Sequence, residues 1–164
     1  MTTADASIAA TDAYFIYANI EGYDVADLKS GTASAGSVTL RFKAKFSLAG
    51  TYGVSLCNSA ADRTYVQTIT APDANENEYT LTFPLDTSGA WLYTNGVGLR
   101  LRICLSAGAN FRTTAGSWQA GNFLTTSAQT NLMGATTRQL DLKRLHLSPG
   151  NVVSAYGPQD IQKQ

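Results

Sequence analysis

The chain has 164 residues, a length that fits one domain with a substantial core. Twelve Lys and Arg residues balance twelve Asp and Glu residues, so no basic block offers a nucleic acid a phosphate-binding stripe. No run approaches the ~18 apolar residues of a membrane span, and the opening MTTADASIAATDA lacks the basic and apolar parts of a secretory signal. We therefore expect a protein made in the cytoplasm, with no nucleic-acid partner and no membrane insertion.

The first predicted elements are a strand and a short helical segment. DAYFIYANI, from Asp12 to Ile20, is rich in aromatic and β-branched residues, which favour a pleated surface. GYDVADLKSG follows, with Val25 and Leu28 three residues apart and Gly31 placed to end a helix. This segment is the one helical element that the sequence predicts, and it spans one or two turns.

Strict alternation of apolar and polar residues predicts the next strands. In SVTLRFKAKF the apolar residues Val38, Leu40, Phe42, Ala44 and Phe46 share one face. TYGVSL, EYTLTF and VGLRLRICL follow the same period of two, and RTYVQTIT is a weaker candidate. A period of two is typical of antiparallel strands with one buried and one solvated face.

The last ribbon, QLDLKRLHL, changes parity in the middle. Leu140 and Leu142 share one parity, and Leu145 and Leu147 have the other. One extra residue near Lys143 or Arg144 would restore the pattern, so we predict a β-bulge there.

Turn-forming clusters separate the strands about every ten residues, a spacing typical of a sandwich or barrel. The segment from Gly108 to Gly134 has little periodicity and is long. Such a segment is either a pair of short edge strands or a binding surface. The prediction is one all-β domain over residues 1–164, an antiparallel jelly-roll-like β-sandwich with an N-terminal arm (1–11) and a C-terminal tail (150–164).

Several stretches, in order, resemble one known family. They are IEGYDVADL, VTLRFKAKFSLAGTYGVSLCNSAADRTYV, DTSGAWLYTNGVGLRLRICL, FRTTAGSWQAGN and TSAQTNLMG. Together they resemble a C-terminal β-sandwich domain of bacteriophage tail fibres and related virion structural proteins, from about Asp12 to Pro149. Family members often end in an LE-x-G turn, whereas this chain has RLHLSPGN, with His146 or Ser148 close to the place of the acidic residue.

The resemblance implies a protein located in the virion that contacts other virion subunits. It also implies a homo-oligomer, with a trimer favoured because related fibre proteins commonly form trimers. Because the family's domain usually follows a long attachment region, the chain is either an excised domain or a free-standing decoration or spike protein.

The residues offer little for catalysis. The single histidine, His146, has no nucleophile motif beside it, and no G-x-S-x-G elbow is present. A glycosidase needs paired carboxylates, but Glu21 with Asp24, or Asp62 with Asp86, cannot be paired from the sequence, and solvated turn residues are the better interpretation. We expect no enzyme activity and no cofactor.

Metal ligands have one weak candidate. PDANENE places the oxygen ligands Asp73, Asn75, Glu76 and Glu78 in one turn. Its spacing does not match the twelve-residue calcium loop, so a polar turn is the alternative and no metal is predicted.

Aromatic and amide residues suggest carbohydrate binding. Trp118 lies near Gln119 and Asn122, and Trp91 and Tyr93 lie beside Asn95, in segments that read as loops. Sugar rings stack on indole faces, and amides bind hydroxyl groups. The alternative is that each tryptophan closes one end of the sandwich.

Basic residues alternate along two ribbons. Arg41, Lys43 and Lys45 lie on one, and Arg100 and Arg102 on the other. If both ribbons belonged to one sheet, their polar face would be cationic and could meet an acidic polysaccharide or a neighbouring subunit. A solvated outer face that discourages unwanted strand pairing is the alternative.

The two cysteines, Cys57 and Cys104, occupy polar-parity positions. They could form a disulfide if their strands pair, or remain free thiols as a cytoplasmic site of synthesis favours.

Two functions follow from these observations. The first is a non-catalytic attachment domain of a phage fibre or spike that binds host surface polysaccharide. The second is a capsid or tail decoration protein that binds neighbouring virion subunits. A depolymerase is a weaker third.

Overall fold

The computed structural model describes residues 3–152, and these form eight strands and a few short helical turns. The strands are β1 (Ala13–Glu21), β2 (Ser37–Phe46), β3 (Gly50–Cys57), β4 (Arg63–Ala71), β5 (Glu76–Pro84), β6 (Val97–Ala107), β7 (Trp118–Ala120) and β8 (Leu140–Pro149). Helix α1 (Gly22–Val25) continues into a 3₁₀ turn at Ala26–Leu28, and two more 3₁₀ turns lie at Ala109–Phe111 and Leu132–Gly134. No helix within the described residues is long and apolar enough to cross a membrane.

The strands form two antiparallel sheets. The five-stranded sheet has the order β1-β6-β3-β4-β7, and the three-stranded sheet has the order β5-β2-β8. The sheets pack face to face through one hydrophobic core. The prediction of an antiparallel β-sandwich with one short helical segment is therefore confirmed.

Alternation along each strand selects the core. The apolar parity of β2 is fully buried, as are Tyr52, Val54 and Leu56 from β3. Across the two sheets, Phe46 stacks on Tyr52 with ring centroids 4.1 Å apart. Burial of such side chains stabilises the fold by roughly 1.5–3 kcal/mol each.

The predicted bulge in β8 is present. Arg41 of β2 pairs with His146, and Lys43 pairs with Lys143, so β8 has one residue more than β2 between these pairs. Arg144 takes a left-handed conformation, with φ 53°. The bulge returns both halves of β8 to the core face, because Leu142 and Leu147 each pack against it.

Residues 108–139 connect β6 to β8, and we call them the covering segment because part of them covers the outer face of the five-stranded sheet, where Leu124 packs with Cys104 and Ala107. They contain one short edge strand, β7, where the sequence left open a pair of them, and Leu132 of the segment is buried in the core between the sheets. Gln129 accepts a hydrogen bond from Gly53 N at 2.9 Å and donates one to Cys104 O at 3.4 Å. A Cβ atom at Gly53 would lie 2.4 Å from Leu124 O, so only glycine permits this approach.

Arg102 is buried beneath the covering segment, only 2% exposed. Its guanidinium donates to Ser55 Oγ (3.1 Å) and Thr64 Oγ1 (3.3 Å) on the sheet. It also donates to Asn122 Oδ1 (2.5 Å) and Phe123 O (2.8 Å) on the segment. One side chain therefore joins strands β3, β4 and β6 to the chain that crosses them.

Both cysteines are free and fully buried. Cys57 pairs with Arg100, four residues before Cys104 on β6, a separation of about 13 Å along the strand. The strands pair, but in a register that keeps the sulfur atoms apart. Burial raises the pKa of the Cys104 thiol to about 12 and also raises that of Cys57.

The predicted N-terminal arm is attached to the domain over its described part, residues 3–11. Asp5 N donates to Met133 O at 2.8 Å, and Asp5 accepts a hydrogen bond from Tyr14 Oη at 2.8 Å. Asn110 N donates to Ala10 O at 3.0 Å. Of the predicted C-terminal tail, residues 153–164 lie outside the described part of the chain.

Replacing Arg102 should destabilise the domain far more than replacing its neighbour on the same face. We expect Arg102→Ala to lower the free energy of unfolding by about 2–4 kcal/mol, because acceptors on the sheet and the segment lose a buried donor. Arg100→Ala, the matched control, removes a side chain that donates to Asn19 Oδ1 and lies over Tyr17, and should cost at most about 1 kcal/mol. Urea denaturation measures both, and equal losses would contradict the anchoring role.

Candidate functional site

Four aromatic rings form a chain at the β7 side of the sandwich. Phe83, Tyr65, Trp118 and Trp91 contact one another in that order, with ring centroids 5.7, 5.6 and 5.4 Å apart. Each contact is edge-to-face, an arrangement that the ring quadrupoles favour. Phe83 and Tyr65 are buried, whereas both tryptophans are only partly buried and lie at the outer end. We call this cluster the aromatic edge.

Strand pairing places Trp118. Strand β7 is three residues long and pairs with β4, so that Trp118 lies opposite Tyr65 and faces the inner side of the five-stranded sheet. Its indole Nε1 donates to Pro84 O at 2.8 Å, at the end of β5. The indole therefore joins the two sheets and has a fixed orientation.

Trp91 comes from the loop between β5 and β6. Its Nε1 donates to Ser88 O at 3.0 Å, and Asn58 Nδ2 holds the preceding carbonyl, Ala90 O, at 3.0 Å. A Cβ atom at Gly31, where φ is +79°, would lie 2.7 Å from the indole Cδ1. Both indole N–H groups are thus used inside the protein, and only ring surface is left for a ligand.

A partly buried ion pair supports the loop. Asp86 is 2% exposed and accepts two hydrogen bonds from Arg63, at 2.6 and 3.0 Å. It also accepts from Ser88 N at 3.0 Å. Burial alone would raise the pKa of Asp86, but the hydrogen bonds from Arg63 and Ser88 outweigh it and lower that pKa. The carboxylate therefore stays ionised and holds the loop that carries Trp91.

The structure separates the predicted glycan-binding residues. Trp91 and Trp118 are brought together, but Gln119 pairs with Thr64 and points to the opposite side of β7. Asn122 accepts from Arg102 and belongs to the anchor of the covering segment. Tyr93 is half-buried and Asn95 exposed, both on the loop that carries Trp91.

The predicted single basic face is wrong, because the two ribbons lie in different sheets. Arg41 and Lys43 are on the three-stranded sheet, where Arg41 pairs with Glu78 and Lys43 lies 4.0 Å from Glu78 and from Glu76. Lys45 lies opposite Glu76 in the β2–β5 ladder. Arg100 and Arg102 are on the other sheet, and Arg102 is buried. The outer face of the three-stranded sheet therefore carries paired charges of both signs.

The calcium candidates do not converge. Asp73 accepts hydrogen bonds from Asn75 N (3.0 Å), Asn75 Nδ2 (2.9 Å) and Asn77 Nδ2 (3.2 Å), which lower its pKa. Glu76 instead accepts from Lys143 Nζ at 2.8 Å. Within residues 3–152, no group of three His, Cys, Asp or Glu side chains is placed to hold a metal ion.

The residues considered for catalysis are dispersed. His146 is half-buried opposite Arg41, while Glu21 ends β1 and Asp24 lies in α1. Asp62 accepts from Asn58 at 2.6 Å, and Asp86 is paired with Arg63. Asp62 and Asp86 therefore each have a partner of their own and do not face a ligand as a pair.

Sequence reasoning missed Tyr65, Arg63 and Asp86 as parts of this site. A partial signal was present for Asp86, because aspartate followed two residues later by serine, as in DTSG, favours a side-chain turn. Arg63 and Asp86 are 23 residues apart in the sequence, and no local sequence pattern predicts that they pair.

Comparisons with known proteins are sparse. No protein-family model matches the chain, and no curated protein does. One similar solved structure is described as "CBM4 structure and function"; the identity is 14%, the TM-score is 0.47, and the alignment covers 87% of this chain and 79% of that chain. A similarity of this size does not transfer a ligand from one chain to the other.

Trp118 should contribute to stability even though it is partly exposed. Trp118→Ala removes two ring contacts and a hydrogen bond between sheets, and we expect the free energy of unfolding to fall by about 2–4 kcal/mol. Tyr23→Ala, a control at an aromatic residue that is 63% exposed, should change it by at most about 0.5 kcal/mol. Chemical denaturation that finds both variants as stable as the parent would show that Trp118 does not join the sheets.

Proposed function

We propose that the domain is a glycan-binding module and that the aromatic edge is its ligand surface. The observation that carries this proposal is the pair of partly exposed indoles, Trp91 and Trp118, with ring centroids 5.4 Å apart and planes at 90°. Perpendicular rings offer a sugar one flat surface and one wall.

The chemistry of the pair favours an apolar contact over a hydrogen-bonded one. Each indole N–H already donates to a backbone carbonyl, Pro84 O or Ser88 O. What remains is aromatic surface, and the C–H bonds on one face of a pyranose ring pack against such surface. A ligand of this kind is bound by its shape and its apolar faces.

Rigidity supports the same conclusion. The Arg63–Asp86 ion pair and the contact of Trp118 with Tyr65 fix both rings before any ligand arrives. A surface that is already ordered loses little conformational entropy on binding. Ser88, Tyr93 and Asn95, on the loop that carries Trp91, are the polar groups available to sugar hydroxyls.

Charge favours a neutral sugar at this surface. Arg63 and Asp86 compensate each other, and the chain as a whole has no net charge. An acidic polysaccharide would find no uncompensated cation in the aromatic edge itself. We therefore expect neutral pyranose units to bind best.

The biological setting follows from the sequence resemblance. A domain that resembles a tail-fibre C-terminal domain would meet host surface polysaccharide as part of a fibre or spike. Its partners would then be other virion subunits and the host glycan, and the protein would act without catalysis. Trimer formation stays a prediction of the same resemblance.

Fluorescence offers a direct test, because the two tryptophans of the chain both lie in the aromatic edge. We expect a neutral polysaccharide or a smooth lipopolysaccharide with a neutral O-chain to change the intrinsic tryptophan emission in a saturable manner. Trp91→Ala should weaken that binding at least tenfold, and Trp118→Phe should weaken it less, because a smaller ring remains.

Affinity electrophoresis through gels containing barley β-glucan, dextran or the lipopolysaccharide provides an independent measurement. Tyr23→Ala is the matched control, since it removes an exposed aromatic ring outside the site. Thermal denaturation must show each variant folded. Binding that survives Trp91→Ala in a folded protein, or that falls equally in Tyr23→Ala, would refute the assignment of the site.

A further inference from the structure

The two sheets have four edge strands, and three of them carry features that block pairing with another chain. Strand β7 has only three residues. Strand β5 has Glu76, Glu78 and Pro84, and β8 has Asp141, Lys143, Arg144 and a bulge. Charges, proline, bulges and short length are the devices that keep edge strands from adding a neighbour.

Strand β1 is the exception. Residues 13–20 read AYFIYANI, without a charge or a proline. Its pairing with β6 is irregular only between Tyr14 and Phe15 and between Ile20 and Glu21, which leaves six regular residues. Tyr17 is 61% exposed in the middle of this stretch. Among residues 3–152 no strand pairs with the free edge of β1, and the backbone groups of such an edge fit an extended strand.

An apolar opening lies beside β1, where the two sheets part. Three cavities of about 250, 50 and 200 Å³ follow one another between β1 and β8, and we call them the β1–β8 seam. The middle one is lined by Ile16, Tyr17, Ala18, Leu101, Ile103, Leu142 and Leu145. Leu145, placed by the β8 bulge, is 39% exposed. Apolar surface in this position is covered when another chain extends the sandwich.

We propose that a second copy of this chain covers the seam by antiparallel pairing of β1 with β1 about a twofold axis. In a continuous antiparallel sheet, directly opposite residues point to the same face. A twofold axis normal to the sheet must therefore place one residue of β1 directly opposite the same residue of the second copy. Full overlap of Ala13–Glu21 with its copy makes that residue Tyr17. Ile16 then lies opposite Ala18 of the second copy, on the core side.

The charges at the ends of the seam match this arrangement. Arg138 lines the cavity at one end, beside Met133, and Asp24 lines the cavity at the other end, beside Leu28. Antiparallel pairing brings each end next to the opposite end of the second copy. Opposite charges meet, whereas parallel pairing would bring like charges together.

Pairing through β1 leaves the aromatic edge free. Strands β1 and β7 are the two edges of the five-stranded sheet, so the dimer would form a ten-stranded sheet with an aromatic edge at each end. A dimer of this kind has a different subunit number from the trimer that the sequence resemblance favours. The inference does not depend on what the aromatic edge binds.

Cysteine cross-linking tests the geometry, because the two native thiols are fully buried. Tyr17→Cys places a thiol on the proposed axis, next to the same thiol in the second copy. Under mild oxidation at micromolar concentration we expect rapid conversion to a disulfide-linked dimer of about 35 kDa, twice 17.4 kDa. Asn19→Cys, two residues away on the same face, should cross-link at least tenfold more slowly alone and rapidly when mixed with Phe15→Cys.

Sedimentation equilibrium tests the association without a cross-link. The parent chain should be a dimer, and Tyr17→Lys should be a monomer because two ammonium groups would face each other across the axis. Tyr23→Lys changes an equally exposed tyrosine outside β1 and should stay dimeric. A monomeric or trimeric parent chain, or equal cross-linking of Tyr17→Cys and Asn19→Cys, would overturn the proposal.

Discussion

The arrangement of this domain depends on one buried cation, the guanidinium of Arg102. It joins the outer face of the five-stranded sheet to the covering segment through Asn122 and Phe123. The same segment contains β7, and β7 positions Trp118 next to Tyr65. Thr64, which accepts from Arg102, also pairs with Gln119 in that strand. The aromatic edge is thus held from both sides of β7, by the core on one and by the anchor on the other.

Two guanidinium groups that hold the fold together are satisfied in different ways. Arg63 pairs with the carboxylate of Asp86, whereas no carboxylate in residues 3–152 lies within salt-bridge distance of Arg102. Burial lowers the pKa of Arg102, although the group remains charged at any physiological pH. Neutral oxygen atoms accept the hydrogen bonds of this buried cation, and removing any one of them would leave a buried N–H group without an acceptor. Such a site stabilises the chain path that supplies these oxygen atoms and destabilises paths that do not.

The sequence allowed the sandwich to be predicted because a period of two survives in the strands whatever covers their outer face. The sequence did not reveal that the covering segment packs on the outer face of the five-stranded sheet. Ser55, Cys57, Arg102 and Cys104 have polar parity yet are fully buried, because the covering segment has no period of its own. Its contacts, such as that of Gln129 with Gly53, join residues 76 positions apart. Such contacts follow from the path of the chain in space.

The candidate site was likewise predictable from the sequence only in part. Trp91 and Trp118 could be selected from the sequence as aromatic loop residues, and the structure places them together. Gln119 and Asn122 were equally plausible neighbours, but strand alternation turns one away and Arg102 binds the other. The aromatic edge also combines the two alternatives posed by the sequence, since its tryptophans close the sandwich and still offer ring surface.

The measurement that tests glycan binding most directly is a heteronuclear NMR titration of the ¹⁵N-labelled chain with an oligosaccharide released from a polysaccharide that binds. The two indole N–H signals come from Trp91 and Trp118 alone. The account predicts that both signals shift in step with backbone amides near Ser88 and β7, while amides of β1 do not. Shifts confined to other surfaces, with both indole signals unmoved at saturation, would contradict it.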